Sequence, residues 1–126
     1  GKRTVGQLPG ITAAQVAFLA KRKISMMDHL LLFAGDANNR ALLIEECALD
    51  EEQFTLWLNL CDLTRVEGLT VEDALRLESY GKVDTVRELV RRNAESLYQA
   101  VHGLVPQDRL AGWIEAAKAL LPAPQR

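Results

Sequence analysis

Few side chains of this sequence could carry out catalytic chemistry. The chain has two histidines, His29 and His102, and two cysteines, Cys47 and Cys61. None of them lies in a nucleophile motif, and the sequence has no HExxH, GxSxG, Walker or Rossmann pattern. The spacing between the cysteines and the histidines matches no standard zinc site. We therefore expect no catalytic residue, no cofactor and no metal ion, and we predict that the chain is not an enzyme.

Binding through charge is the second kind of chemistry that the residues offer. Lys21, Arg22 and Lys23, hereafter the basic cluster, follow one another in the chain. Residues 1–40 hold 6 basic and 2 acidic side chains, a balance of +4, whereas residues 41–126 hold 9 basic and 15 acidic ones, a balance of −6. Because a phosphate backbone is contacted mainly by Lys and Arg, any nucleic-acid contact is predicted in the first segment. The same cluster would also complement the dipole at a helix C-terminus and stay solvated.

Size and composition indicate one soluble domain that spans residues 1–126. The chain is 48% hydrophobic and 25% charged, with a net charge of −2 that attracts it neither to nucleic acid nor to an anionic membrane as a whole. No apolar run is longer than that of residues 30–34, which is far shorter than a membrane span of about 20 residues. The two cysteines lack the spacing of a disulfide framework, so we expect buried thiols and a cytoplasmic protein.

Helix-capping pairs and the helical spacing of apolar residues predict seven to nine short helices and no sheet. Four helices are predicted in the first half of the chain: from Thr12 to about Lys23, from Ser25 to Gly35, over residues 40–47, and from Asp50 past Cys61. Four more are predicted in the second half: from Thr70 to Gly81, from residue 84 or 85 to about residue 92, from Asn93 to residues 102–103, and over residues 107–121. Residues 36–39 are predicted to form a turn, and Gly35 and Gly81 to end their helices in the left-handed conformation. The aromatic residues predicted to lie in the core are Phe18, Phe33, Phe54, Trp57, Tyr80, Tyr98 and Trp113.

An internal repeat connects the two halves of the chain. Residues 8–12 (LPGIT), hereafter turn A, align with residues 66–70 (VEGLT), hereafter turn B. After one inserted residue, a second set of apolar positions aligns: Ile24, Met27 and Leu30 with Val83, Val86 and Leu89. The sequence therefore predicts two copies of one unit, each with a glycine-containing turn, a capped helix, a short break and a second short helix.

The repeated unit resembles the helix-hairpin-helix motif, whose tight glycine-containing hairpin can face a phosphate with its backbone amides. More closely, the chain resembles an uncharacterised bacterial family of tandem helix-hairpin-helix proteins, a domain of unknown function. The residues that carry this resemblance are Arg40 and residues 62–68, 83–89, 92–93 and 113–118.

The resemblance implies an all-α fold of two helix-hairpin-helix units joined by a helical connector, with a C-terminal amphipathic helix. The two repeats would be residues 8–35 and 66–92, the connector residues 36–65, and the C-terminal helices residues 93–121. It also implies binding of nucleic acid or protein, without an established activity.

The two turns differ in the contacts that they are expected to make. Thr12 and Thr70 stand where a phosphate-binding hairpin usually has a second glycine, and a threonine hydroxyl accepts from the amides that a phosphate would need. Candidate phosphate contacts are Gly10, Ile11 and Thr12 of turn A with Lys21, Arg22 and Lys23. Turn B lies among carboxylates, so its candidate residues, Glu67, Gly68, Leu69 and Thr70, are expected to contact a protein.

From these features we predict a non-catalytic binding module, a protein-interaction or adaptor domain whose partner the sequence leaves unnamed. The alternative is a DNA-binding domain that contacts the phosphate backbone through turn A and the basic cluster. We expect no membrane partner, and self-association into a homo-oligomer stays open.

Overall fold

The fold consists of short helices joined by tight turns. The structure is a computed structural model, and it describes residues 3–121. A 3₁₀ helix, Val5–Gln7, precedes eight α-helices: α1 Ala13–Lys21, α2 Met27–Phe33, α3 Ala37–Glu46, α4 Glu51–Leu63, α5 Val71–Ser79, α6 Val86–Leu89, α7 Ala94–Ala100 and α8 Gln107–Leu120. Residues 3–121 contain no β-strand, only an isolated bridge between Thr4 and Met26. The prediction of an all-α protein is confirmed.

The chain divides into two compact units between Asp62 and Leu63. Turn A and the helices α1 to α4 make up the first unit, apart from the last residue of α4, and turn B and the helices α5 to α8 make up the second. The segment predicted as a connector, residues 36–65, holds the third and fourth helices of the first unit. It therefore corresponds to residues 93–121 of the second unit, so the repeated order of elements is longer than the sequence alignment indicated.

Turn A and turn B have the same backbone. The N–H of Ile11 donates to the carbonyl of Leu8 at 3.3 Å, and the N–H of Leu69 donates to that of Val66 at 3.1 Å. Gly10 and Gly68 lie in the left-handed region, at φ 77° and 82°. This is the pattern of a type II β-turn, whose third position favours glycine because L side chains are strained there.

Side-chain caps begin most of the helices. Thr12 and Gln15 form a capping box at α1, and Thr70 and Asp73 form one at α5, as predicted. Asp36 accepts from the N–H groups of two following residues, at 2.7 and 3.2 Å, and so begins α3 where the sequence predicted a turn over residues 36–39. That prediction is wrong because the Asp36 carboxylate satisfies the first helical amides. Asn93 caps α7 in the same way.

Helix α2 begins without the predicted Ser25 cap. Its N-cap residue is Met26, which makes no side-chain capping bond. Backbone hydrogen bonds with the N-terminal segment are made at the start of α2 instead. The N–H of Val5 donates to the carbonyl of Ser25 at 3.0 Å, and the N–H of Met27 donates to the carbonyl of Arg3 at 2.7 Å. A cap was unnecessary because a distant segment supplies the hydrogen bonds.

The helix ends differ from the prediction for Gly35 and Gly81, neither of which is left-handed. The left-handed non-glycine residues lie at four other positions: Lys23 after α1, Ala48 after α3, Lys82 after Gly81 and His102 after α7, at φ 63°, 52°, 56° and 58°. The N–H of the buried Ile24 donates to the carbonyl of Leu19 at 2.9 Å, the bond of a Schellman motif. The position of the left-handed residue is thus decided by which apolar residue folds back onto the helix.

Gly81 is required for close packing and not for a left-handed backbone conformation. A Cβ at this position would lie 2.9 Å from both the Leu77 carbonyl oxygen and Leu97 Cδ1. Only a residue without a side chain fits there, which explains a glycine with ordinary φ.

The aromatic residues were only partly predicted. Phe54, Trp57 and Trp113 are buried, which confirms the prediction for them, and Phe18, Phe33 and Tyr98 are partly exposed. The prediction that Tyr80 lies in the core is wrong, because this side chain is 48% exposed and contacts the His102 ring edge-on. Trp57 in α4 and Trp113 in α8 occupy corresponding places, each beginning an apolar turn of the fourth helix of its unit.

Candidate binding surfaces of the two units

Hydrogen bonds between residues far apart in the sequence connect turn A and the start of α1 to the rest of the first unit. The indole N–H of Trp57 donates to the carbonyl of Pro9 at 2.7 Å. The side-chain amide of Gln15 donates to the carbonyl of Cys47 at 2.9 Å. A Cβ at Gly10 would lie 2.8 Å from Gln53 Nε2. Turn A is therefore held in one position by side chains of α1 and α4.

Turn B has a more open setting. A Cβ at Gly68 would meet nothing within 4 Å, and the indole of Trp113 has no hydrogen-bond partner among residues 3–121. The Thr70 hydroxyl donates to the Asp73 carboxylate at 2.9 Å. The helix behind turn B thus begins with carboxylates, Glu72 and Asp73, which favourably compensate its N-terminal dipole.

The N-terminus of α1 carries no such compensation, because its first turn has no acidic residue. The Thr12 hydroxyl accepts from the N–H of Gln15 at 3.0 Å. Within the described part of the chain, the N–H groups of Gly10, Ala13 and Ala14 have no acceptor. Of the two helices that follow the turns, only α1 therefore begins without a carboxylate in its first turn.

The structure separates the predicted site residues of the first unit into two groups. Gly10, Ile11 and Thr12 lie before α1, and the basic cluster lies at its C-terminal end. A helix of 9 residues is about 14 Å long, so a single phosphate group cannot contact both groups. In the second unit, Glu67, Gly68 and Thr70 are exposed and Leu69 is buried.

The basic cluster is exposed. The Arg22 guanidinium stacks over the Phe18 ring, 3.8 Å from its centroid. Lys21 and Lys23 have no ion-pair partner among residues 3–121. These two ammonium groups are thus available to an anionic partner.

An apolar surface that the sequence analysis did not single out covers the exposed side of α1. Leu19 is the buried residue of this helix. The α1 face, as we call it, consists of four exposed alanines bordered by two partly exposed larger residues: Ala13, Ala14, Ala17 and Ala20 with Val16 and Phe18. The available signal was the absence of any charged residue between Thr12 and Lys21.

The corresponding surface of α5 is acidic. By the alignment of turn A with turn B, Glu72 and Glu78 stand where α1 has Ala14 and Ala20, and the partly exposed Leu75 stands where α1 has Ala17. Arg76 pairs with Glu72 at 3.2 Å and with Asp73 at 3.8 Å. At equivalent backbone positions, the exposed side of α1 is therefore apolar and that of α5 is acidic.

Cys47 and Cys61 are buried and are not joined in a disulfide, as predicted. Burial, together with the smaller effects of the Asp28 and Asp62 carboxylates, raises the pKa of Cys61 to about 12. Burial also raises the pKa of Cys47, against the opposing effect of Arg22. Both thiols are therefore protonated at neutral pH, the form that is a poor nucleophile.

Two further features bear on ligands. Among residues 3–121, no group of three or more His, Cys, Asp or Glu side chains could hold a metal ion. No helix in that part of the chain is long and apolar enough to cross a membrane.

Comparison with known proteins places the chain in a family. No curated protein and no solved structure matches it significantly. A family model matches residues 9–120, which include turn B, all of turn A except its first residue, and all eight α-helices. The chain belongs to the family described as a domain of unknown function, DUF4332.

Proposed function

We propose that this chain is a non-catalytic binding module of two helix-hairpin-helix units, and that it acts as a protein-interaction or adaptor domain through the α1 face. The observation that carries this proposal is that the exposed side of α1 is apolar from Ala13 to Ala20. Exposed helix surfaces usually carry polar side chains, and contiguous apolar surfaces mark contact sites.

The helix-hairpin-helix interpretation is supported by what the two units share. Each has a type II turn with a left-handed glycine, a capping box, a helix of 9 residues, a left-handed lysine and a short second helix. A glycine-containing turn between packed helices is the feature on which the motif depends.

A protein partner suits the α1 face better than a nucleic acid does. Alanine side chains offer no hydrogen-bond donor to a phosphate oxygen, whereas nucleic-acid affinity depends on such contacts. Small side chains do allow another helix to approach closely and bury apolar area.

Site-specific photo-crosslinking tests this proposal. A photo-reactive amino acid would replace Ala17 on the α1 face or, as the matched control, the exposed Ala111 on α8. In nuclease-treated cells that naturally produce the protein, we expect a discrete protein adduct at position 17 and none at position 111. Equal labelling at both positions, or no protein adduct at position 17, would contradict the proposal.

DNA binding through turn A is the second candidate. It is favoured by the amides of Gly10, Ala13 and Ala14 and by Lys21 and Lys23, which have no hydrogen-bond acceptor and no ion-pair partner, respectively, among residues 3–121. Anisotropy of labelled single- and double-stranded DNA, at about 50 and 200 mM salt, tests it. Affinity that falls steeply with salt and disappears when Lys21, Arg22 and Lys23 are changed to Glu would establish this function. Lys82→Glu, at the equivalent left-handed position of the second unit, is the control.

A further inference from the structure

We infer that the α1 face binds an acidic amphipathic helix of a protein partner, whose apolar side covers the alanines and whose carboxylates meet the basic cluster. This inference rests on the proposed function, because it names the chemistry of the partner at that same surface. It is argued from the charge and the shape of the α1 face.

The charges around the α1 face indicate that the partner is acidic. No acidic side chain lies in α1, and Lys21, Arg22 and Lys23 close the C-terminal end of its exposed face. Lys21 and Lys23 have no ion pair among the described residues. The guanidinium of Arg22 stacks its flat face on the Phe18 ring, so the N–H groups at its edge can still donate to a carboxylate. Complementary charge at the edge of an apolar contact sets specificity and orientation.

Shape decides the kind of partner. The alanines from Ala13 to Ala20 extend over about 10 Å, or two helical turns. Because their side chains are small, a partner must supply the large apolar groups, such as Leu at helical spacing. Val16 and Phe18 border the alanines on opposite sides, so they would lie along both flanks of the docked helix.

A second copy of the chain fits this surface less well. The acidic helix that the chain itself offers is α5, with Leu75 between Glu72 and Glu78. Arg76 already binds Glu72 and Asp73 on that helix. Self-association through α5 would therefore compete with ion pairs that exist within the chain, whereas an independent acidic helix carries no such cost.

Three synthetic peptides test the inference by fluorescence anisotropy with the whole chain. Each has about 18 residues, long enough to populate a helix in water. The first carries Leu on one side and Glu on both flanks, the second replaces every Glu with Lys, and the third replaces every Leu with Ser. We expect the first peptide to bind at least about tenfold more tightly than either of the others, because both the charge and the apolar side contribute.

Variants locate the binding on the α1 face. Ala17→Glu should abolish binding of the Leu/Glu peptide, and Lys21→Glu with Lys23→Glu should shift the preference toward the Leu/Lys peptide. Ala111→Glu and Lys82→Glu, which are exposed in the second unit, should leave affinity unchanged. Circular dichroism of every variant verifies that the helices are retained.

Several outcomes would overturn the inference. Equal affinity for the Leu/Glu and Leu/Lys peptides would remove the role of charge, and binding that survives Ala17→Glu would place the contact elsewhere. Sedimentation that shows a dimer abolished by Ala17→Glu would assign the α1 face to a second copy. A protein adduct at position 17 in the crosslinking experiment, with no affinity for any acidic peptide, would leave the proposed function intact and refute this inference alone.

Discussion

Turn A and turn B share a type II backbone but are held in place differently. The carbonyl of Pro9 in turn A accepts from the Trp57 indole, whereas the equivalent Trp113 makes no such bond within residues 3–121. A Cβ at Gly10 would collide with Gln53, and one at Gly68 would find open space. The two turns therefore share one local conformation, whereas the contacts that surround them differ.

The helices that follow the two turns, α1 and α5, also share a local structure and differ in their surfaces. Both begin with a threonine capping box, and both bury the residue seven positions beyond that threonine, Leu19 or Leu77. Their exposed sides carry alanines in α1 and glutamates in α5. Burial constrains one side of a helix and leaves the other free to acquire a binding role, which is why the two copies are expected to bind different partners.

Removal of the indole hydrogen bond should separate turn A from turn B most strongly. Trp57→Phe leaves the Pro9 carbonyl without its donor and also leaves a cavity, so we expect it to lower the free energy of unfolding by about 3 kcal/mol. Trp113→Phe creates a similar cavity without breaking a bond, and should cost about 1 to 2 kcal/mol. Urea unfolding of both variants measures the difference, and equal losses would show that the bond contributes nothing to turn A.

An added methyl group should also distinguish the turns. Gly10→Ala must adopt a left-handed φ and displace the Gln53 side chain, and we expect a loss of about 2 kcal/mol. Gly68→Ala has the same φ with space available, and should cost about 1 kcal/mol. Thermal and urea unfolding provide the measurement. A larger loss for Gly68→Ala would refute the open setting of turn B.

The two threonine caps test the role of Asp73. Thr70→Ala removes both a cap and the hydroxyl donor of a carboxylate that is only 7% exposed, so we expect a loss of about 1.5 kcal/mol. Thr12→Ala removes an exposed cap alone and should cost about 1 kcal/mol. If Thr12→Ala were the more damaging change, the Asp73 contact would be unimportant for stability.

The buried Cys61 predicts a loss of stability at alkaline pH. Its pKa of about 12 in the folded protein lies above the ordinary thiol value of 9.0, so the unfolded chain loses its proton first as the pH rises. The stability that this thiol contributes is complete below pH 9.0 and falls between pH 9.0 and about 12. By pH 10 the loss should be on the order of 1 kcal/mol.

A comparison with the second unit supplies the control for this effect. Ala117 of α8 occupies the position that Cys61 has in α4, so Cys61→Ala gives the two helices the same residue at this position. We expect this variant to lose less stability than the parent protein between pH 8 and 10, as measured by urea unfolding. An identical pH dependence in both proteins would mean that another group titrates.

The smallest expected effect concerns the left-handed lysines. Lys23→Gly and Lys82→Gly relieve the strain of a side chain at positive φ, and each should raise the free energy of unfolding by about 0.5 to 1 kcal/mol. Equal gains would indicate that both helix ends are strained alike. A gain at only one site would reveal that its lysine makes a stabilising contact.

Some of the wrong predictions share a physical origin. Ser25, Gly35 and Gly81 are typical cap or end residues, but the bonds that they were expected to make are supplied from elsewhere or are absent. The repeat was recognised over residues 8–35 and 66–92 because turns and caps have strong residue preferences. Its extension to α3, α4, α7 and α8 was missed because the corresponding caps, Asp36 and Asn93, are different residues.

By itself, the sequence determined the all-α character, the two glycine-containing turns, the capping boxes and the buried thiols. These features depend on hydrogen bonds between residues no more than a few positions apart, or on strong burial preferences. Only the tertiary structure decided that Trp57 supports Pro9, that Gln15 contacts Cys47, and that the α1 face stays exposed. Such contacts join residues 48 and 32 positions apart, and the exposed side of a helix is whatever the packing of distant segments leaves uncovered.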